Sequence, residues 1–126
     1  DLKLALGQQL HELPVLLLKL PQLAGELLGE ALSKPRPAVV VQTDTTPADH
    51  SSVIVCQLTS TIEDHPRFRI DVEPTEANGL RRLSQIMADK PTTIHVDRAG
   101  PKIGRLRLSE MRRLDRALMF ILGLTD

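Results

Sequence analysis

Two prolines flanking an arginine, Lys34-Pro35-Arg36-Pro37, run straight into the β-branched stretch Ala38-Val39-Val40-Val41-Gln42. Each proline fixes its own φ and pushes the preceding residue towards extended geometry. Arg36 is therefore carried on stiff backbone at the entrance to a strand. A second apolar run, Ser52-Val53-Ile54-Val55-Cys56-Gln57-Leu58, ends in the hydroxyl-bearing Thr59-Ser60-Thr61. Runs of this length and composition read as buried strands. A guanidinium held beside a hydroxyl-rich strand end is suited to binding and polarising a phosphate.

The rest of the chain supplies more short strands and one clear helix. Val15–Leu20, bounded by Pro14 and Pro21, fits a first strand. Phe68–Val72 alternates apolar and polar, the period of a half-buried strand. Ser84–Asp89 and Thr93–Val96 read as two strands broken by Lys90-Pro91, and Ile103–Leu108 as a last one. Thr75–Leu80 reads as a turn ending at Asn78-Gly79, and Thr43–Ser51 as a loop. Ser109 is a candidate N-cap, with Glu110 in the first turn. Met111, Leu114, Leu118, Ile121 and Leu122 then form one helical face, with Gly123 at the C′ position. Leu2, Leu6, Leu10 and Leu13 lie near helical spacing. The expected organisation is an N-terminal helical extension, residues 1–13, ahead of one mostly β (α+β) domain, residues 14–126, with a C-terminal helix.

Composition narrows the function. A chain of 126 residues hides ~65% of its unfolded surface on folding, enough for one core. Net charge is +0, so no global basic field announces a polyanionic partner. The charge is nonetheless uneven. Two lysines against four carboxylates leave residues 1–33 at −2, so residues 34–126 carry +2. Between positions 98 and 116 seven cations face only Glu110 and Asp115, which reads as a solvated surface or a partner-facing flank. The one cysteine, Cys56, cannot form an internal disulfide and sits in an apolar strand, which suits a core residue in a reducing cytoplasm. Pro14, Lys19 and Pro21 interrupt the leucine-rich stretch, so no membrane span is expected. The four histidines are scattered, and no His/Cys spacing fits a metal site; no metal and no cofactor is expected.

Lys34 to Asp44, the Val53 to Ile62 strand with its threonine end, Glu73 to Leu80, Ser84 to Thr93 and Ile103 to Leu124 follow one another in the order seen in MazF/PemK-type toxins. The resemblance spans roughly residues 34–124. It implies a small SH3-like barrel (MazF/CcdB-like) that forms a homodimer and binds a cognate antitoxin. It also implies a sequence-specific, metal-independent endoribonuclease acting on single-stranded mRNA. The family's catalytic arginine lies in an Arg-Pro motif, which falls on Arg36. Its catalytic threonine or serine falls on Thr59, with Ser60 next. Lys34, Ser60, Arg67 and Lys90 are candidate RNA contacts. The chain departs from the family at its start, where the usual basic-Gly-acidic opening and aromatic first strand are missing. Val15–Leu20 takes the place of that strand, and Pro21–Pro35 the place of the loop that shapes the RNA groove. Two other readings stay open. One is a non-catalytic toxin of the same fold that acts by binding, as gyrase poisons do. The other is a degenerate toxin that retains only antitoxin binding.

Overall fold

The computed structural model describes residues 14–18, 36–42 and 50–125. The expected N-terminal helix, the Pro21–Pro35 segment and most of the Thr43–Ser51 loop lie outside these residues. Six strands form one antiparallel sheet: β1 (Pro14–Leu18), β2 (Arg36–Val40), β3 (Ser52–Thr59), β4 (Arg69–Val72), β5 (Ser84–His95) and β6 (Ala99–Arg105). Their order across the sheet is β4-β5-β3-β2-β1-β6. An α-helix, α1 (Leu108–Ile121), follows and packs on β4 and β5.

Alternation along the strands divides the buried side chains between two faces. Val39, Cys56, Leu58, Ile70, Val72 and Ile86 join Met111, Leu114 and Ala117 of α1 in the main core. Their neighbours Ala38 and Val55 point the other way and meet Ile94 in a smaller cluster. Each fully buried Leu, Ile or Met contributes about 1.5–3 kcal/mol.

β5 differs from expectation: Lys90-Pro91 does not break it, and one strand runs from Ser84 to His95. The reason lies in the register. Leu58 pairs with Ile86 and Cys56 with Pro91, so two steps along β3 correspond to five along β5. The surplus forms a bulge between the two halves. β4 pairs only with Ser84–Met87. Past that point β5 has an open edge among the described residues, and there a proline without an N–H is tolerated. The start of α1 also differs. Arg107, not Ser109, is the N-cap, because Glu110 reaches back and its Oε1 accepts the Arg107 N–H at 2.9 Å. That carboxylate is buried at the positive end of the helix dipole, where it is favoured. Gly123 takes the expected left-handed C′ conformation, with φ +72°. The Leu124 N–H donates to the Met119 carbonyl and the Gly123 N–H to that of Phe120, completing a Schellman motif.

The connection between β4 and β5 meets β6, the strand at the opposite edge of the sheet. This contact curls the sheet. The Arg105 N–H donates to the Ala77 carbonyl at 2.8 Å. Gly79 lies so close to the Ile103 carbonyl that no Cβ fits, and Gly104 lies equally close to Ala77 and Asn78. Asn78 holds the turn in shape. Its Oδ1 accepts from the N–H groups of Thr75 and Leu80, and its Nδ2 donates to the Glu73 carbonyl. The Asn78 N–H donates to Thr75 Oγ1. At 1% exposure, Asn78 has no access to water that could replace these bonds.

Two glycines with nearly equal positive φ make this closure testable. At Gly123 (φ +72°) nothing lies within 4 Å of a new Cβ, whereas at Gly79 (φ +69°) the Ile103 backbone blocks it. Gly123→Ala is expected to cost about 1 kcal/mol, the ordinary left-handed penalty. Gly79→Ala should cost at least about 2 kcal/mol more, because rigid main chain must separate. Urea denaturation midpoints at unchanged m-value read both; equal losses would show that the 75–80 turn does not bear on β6.

Burial, with a smaller contribution from Asp89, pushes the Cys56 thiol from its ordinary 9.0 up to about 12. The folded state then holds this proton while the unfolded chain loses it. Stability from this group is complete below pH 9 and falls between pH 9 and 12. Cys56→Ala should flatten that part of the stability–pH curve, at the cost of a small core void. An unchanged slope from pH 9 to pH 11 would show that Cys56 is not the group responsible.

Candidate functional site

A cavity of about 480 Å³ opens where β2, the end of β3, the 79–84 segment and β6 converge. Arg36 and Pro37 line it from β2, and Ser60 from the end of β3. Arg81 and Arg82 line it from the β4–β5 connection, and Ser84 from the start of β5. Leu58, Leu80 and Ile103 form its apolar floor and belong to the edge of the main core. Its walls are therefore built on the main-chain closure between Gly79 and Ile103.

The sheet register explains why Arg36 reaches the end of β3. Ala38 pairs with Gln57 and Val39 with Cys56. Continued two residues further, the same register sets Arg36 beside Thr59, and opposite residues of an antiparallel pair share a face. The segment after Thr59 is held by two side chains. Thr59 Oγ1 accepts the Thr61 N–H at 3.1 Å. Gln85, 3% exposed, takes the Glu63 N–H on its Oε1 and donates from Nε2 to the Glu63 carbonyl and to Asp71 Oδ1. The Thr59 hydroxyl thus shapes the turn that presents Ser60, and Ser60 rather than Thr59 lines the cavity.

The other sequence candidates are placed elsewhere. Lys34 lies outside the described residues. Lys90 is exposed on β5 and does not line the cavity. Arg67 lies over the Phe120 ring, 3.9 Å from its centroid, and lines a separate cavity with Arg113 and Arg116. None of the seven cations between 98 and 116 reaches the Arg36 cavity. Arg113 instead donates to the Asp71 carbonyl at 2.9 Å. The described histidines also lie apart: His65 stacks on Phe68, His95 accepts the Asp97 N–H, and His50 approaches the Ser52 carbonyl. Sequence reasoning missed Arg81 and Arg82. The available signal was an arginine pair directly after the Asn78-Gly79 turn.

Among the described residues the lining carries three guanidiniums and two hydroxyls but no carboxylate, imidazole or thiol. Among the described residues no three His, Cys, Asp or Glu side chains come together as a metal site. Such a lining can bind a polyanion and stabilise added negative charge through charge-assisted hydrogen bonds. Its described residues include no side chain suited to shuttling a proton near neutral pH. Glu63 and Asp89 are engaged away from this lining, flanking the nearly buried Arg69 at 3.5 and 3.4 Å. Among the described residues no helix is long and apolar enough to cross a membrane.

Comparison with known proteins agrees with this architecture. Residues 15–122 match the model of the PemK-like, MazF-like toxins of type II toxin–antitoxin systems. The chain is 41% identical over 96 residues to a probable endoribonuclease MazF of Mycolicibacterium smegmatis, covering 76% of this chain and 87% of that protein. Its fold is similar to that of the Mycobacterium tuberculosis toxin MazF-mt6, with TM-score 0.70 at 23% identity, over 90% of this chain and 99% of that one. It is similar to the same degree, TM-score 0.70 at 19% identity, to a mycobacterial endoribonuclease solved in complex with its cognate antitoxin, over 90% and 94% of the two chains. The family match takes in the strands that carry Arg36, Thr59 and Ser84, the turn at Gly79 and the C-terminal helix, so the chain belongs to the PemK-like, MazF-like family of type II toxins.

Proposed function

We propose that this chain is an endoribonuclease toxin that cuts single-stranded RNA at preferred sequences without a metal ion, with Arg36 as the phosphate-stabilising group. The observation that carries this reading is the meeting of Arg36 and Ser60 in one arginine-lined cavity at the end of β3. The 41% identical relative is itself described as a probable endoribonuclease. In the proposed reaction the RNA 2′-oxygen forms a bond to phosphorus and the bond to the 5′-oxygen breaks. The 2′-hydroxyl proton ends on the departing 5′-oxygen, and the products carry a 2′,3′-cyclic phosphate and a 5′-hydroxyl. Arg36 stabilises the charge that builds on the non-bridging oxygens. An arginine does not itself give up a proton, so proton transfer falls to water or to the RNA. Thr59 and Ser60 divide the hydroxyl role: Thr59 shapes the turn, and Ser60 faces the phosphate. DNA lacks the attacking hydroxyl and is spared.

The protein acts in the cytoplasm as a homodimer countered by a cognate antitoxin. Support for a dimer comes from the end of α1, where Met119, Leu122 and Leu124 are exposed at 37%, 58% and 69%. Support for an antitoxin partner comes from family membership and from the similar mycobacterial endoribonuclease solved with its antitoxin. Sedimentation equilibrium at micromolar concentration should give twice the chain mass, and a monomer there would remove the dimer.

The decisive test is digestion of a long single-stranded RNA in excess EDTA, with end-group analysis of the fragments. Cutting should persist and leave 5′-hydroxyl ends; loss of cutting in EDTA, or 5′-phosphate ends, would overturn the mechanism. Arg36→Ala should lower kcat about 10²–10³-fold while the protein stays folded. Ser60→Ala should lower the rate more than Thr59→Val if Ser60 is the phosphate-facing hydroxyl; the reverse order would return that role to Thr59. A chain that remains toxic as Arg36→Ala acts by binding alone.

A further inference from the structure

We infer that Arg81 and Arg82 form a phosphate clamp that holds the RNA backbone beside the scissile position, and that this clamp rather than base stacking retains the substrate. The inference rests on the endoribonuclease reading above and specifies how that site takes its substrate. Base-stacking side chains are scarce: the chain has two phenylalanines and no tryptophan or tyrosine. Both rings are already covered. Phe68 stacks on His65 at 4.9 Å between centroids, and Phe120 lies under Arg67. Neither ring lines the Arg36 cavity. The stacking that contributes substantially in many single-strand binders is therefore absent from its described walls.

Retention must come from the backbone, and Arg81 and Arg82 are placed for it. Both are exposed, both line the cavity that holds Arg36 and Ser60, and neither makes a salt bridge among the described residues. They follow a rigid turn. The Asn78 side chain makes three hydrogen bonds to the turn's own backbone, and Gly79 is seated on the Ile103 main chain. A guanidinium on a fixed turn loses less freedom on binding than one on a mobile loop, and its planar fork matches phosphate oxygens.

A clamp on phosphates is indifferent to base identity, so its loss should weaken all RNA sequences alike. Each phosphate neutralised on a single strand contributes about 0.7 to the slope of log affinity against log salt. The experiment compares wild type, Arg81→Ala, Arg82→Ala and the double variant. Cleavage of one RNA is measured from 50 to 300 mM salt, and binding of a 2′-O-methyl RNA, which cannot be cut, is read by fluorescence anisotropy. Each single variant should raise KM about three- to tenfold with kcat within twofold of wild type. The double variant should lower the salt slope by about 1.4. The order of preference among cleavage sites should not change. Arg82→Lys should recover most of the salt slope but only part of the affinity, because it keeps the charge and loses the fork.

An unchanged slope in the double variant, or a fall in kcat at constant KM, would overturn the clamp. If the wild type binds the 2′-O-methyl RNA but cuts nothing, the endoribonuclease reading fails while the anisotropy slopes still decide the clamp. If the wild type binds no RNA, both fail. Circular dichroism melts should be unchanged in every variant, since both side chains are exposed.

Discussion

The two ends of this sheet are brought together by main chain pressed on main chain. The β4–β5 turn belongs to one edge and β6 to the other, yet Gly79 sits on the Ile103 carbonyl and Gly104 on Ala77 and Asn78. Side chains cannot substitute for this contact, because a single Cβ on either side would hold the edges apart. The closure also sets the cavity: Gly79, Leu80, Arg81 and Arg82 approach Ile103 because the turn docks there, and Arg36 and Ser60 complete the wall from the strands between. A residue such as Asn78, whose side chain faces the turn's own backbone, thus affects the site without lining it.

What was legible in the sequence was what local pattern decides. β-branched runs placed β3 to within one residue at each end and β2 to within two, and Gly123 marked the end of α1 because its left-handed conformation is a local requirement. What was not legible depends on partners. Pro91 looked like a strand break, but the bulge opposite Cys56–Leu58 and the early end of β4 leave it at an open edge. Ser109 looked like the cap, but Glu110 reaches one turn back and moves the start to Arg107. Arg36 and the β3 end were visible as a strand entrance and a hydroxyl cluster. Arg81 and Arg82 were not, because only the docking of their turn against β6 brings them to the same cavity.

Net charge was a poor guide for the same reason. The chain sums to +0, yet among the described residues the cavity lining includes three arginines and no acid. The compensating carboxylates have structural duties. Glu110 closes the helix, Asp71 accepts from Gln85, and Glu63 and Asp89 flank Arg69, whose guanidinium is almost wholly out of water. Leaving such a buried cation unpaired would cost several kcal/mol, so these acids are not available to neutralise the site. The local field arises from where the negative charges are spent, not from an excess of positive ones.

This division also bears on how a small chain can bind a polyanion without a net positive charge. A diffuse positive field attracts nucleic acid everywhere and places it nowhere. Here the described cations at the cavity are few and sit on constrained backbone: a proline-flanked strand entrance for Arg36 and, for Arg81 and Arg82, the end of a turn held by three bonds of the Asn78 side chain. Rigid placement gives each guanidinium a defined direction, which is what stabilising one phosphate among many requires. The apolar floor of Leu58, Leu80 and Ile103 adds to this by lowering the local dielectric beneath the charges, which strengthens each contact made above it. A modest number of arginines then suffices, provided that the closure between Gly79 and Ile103 holds them over that floor.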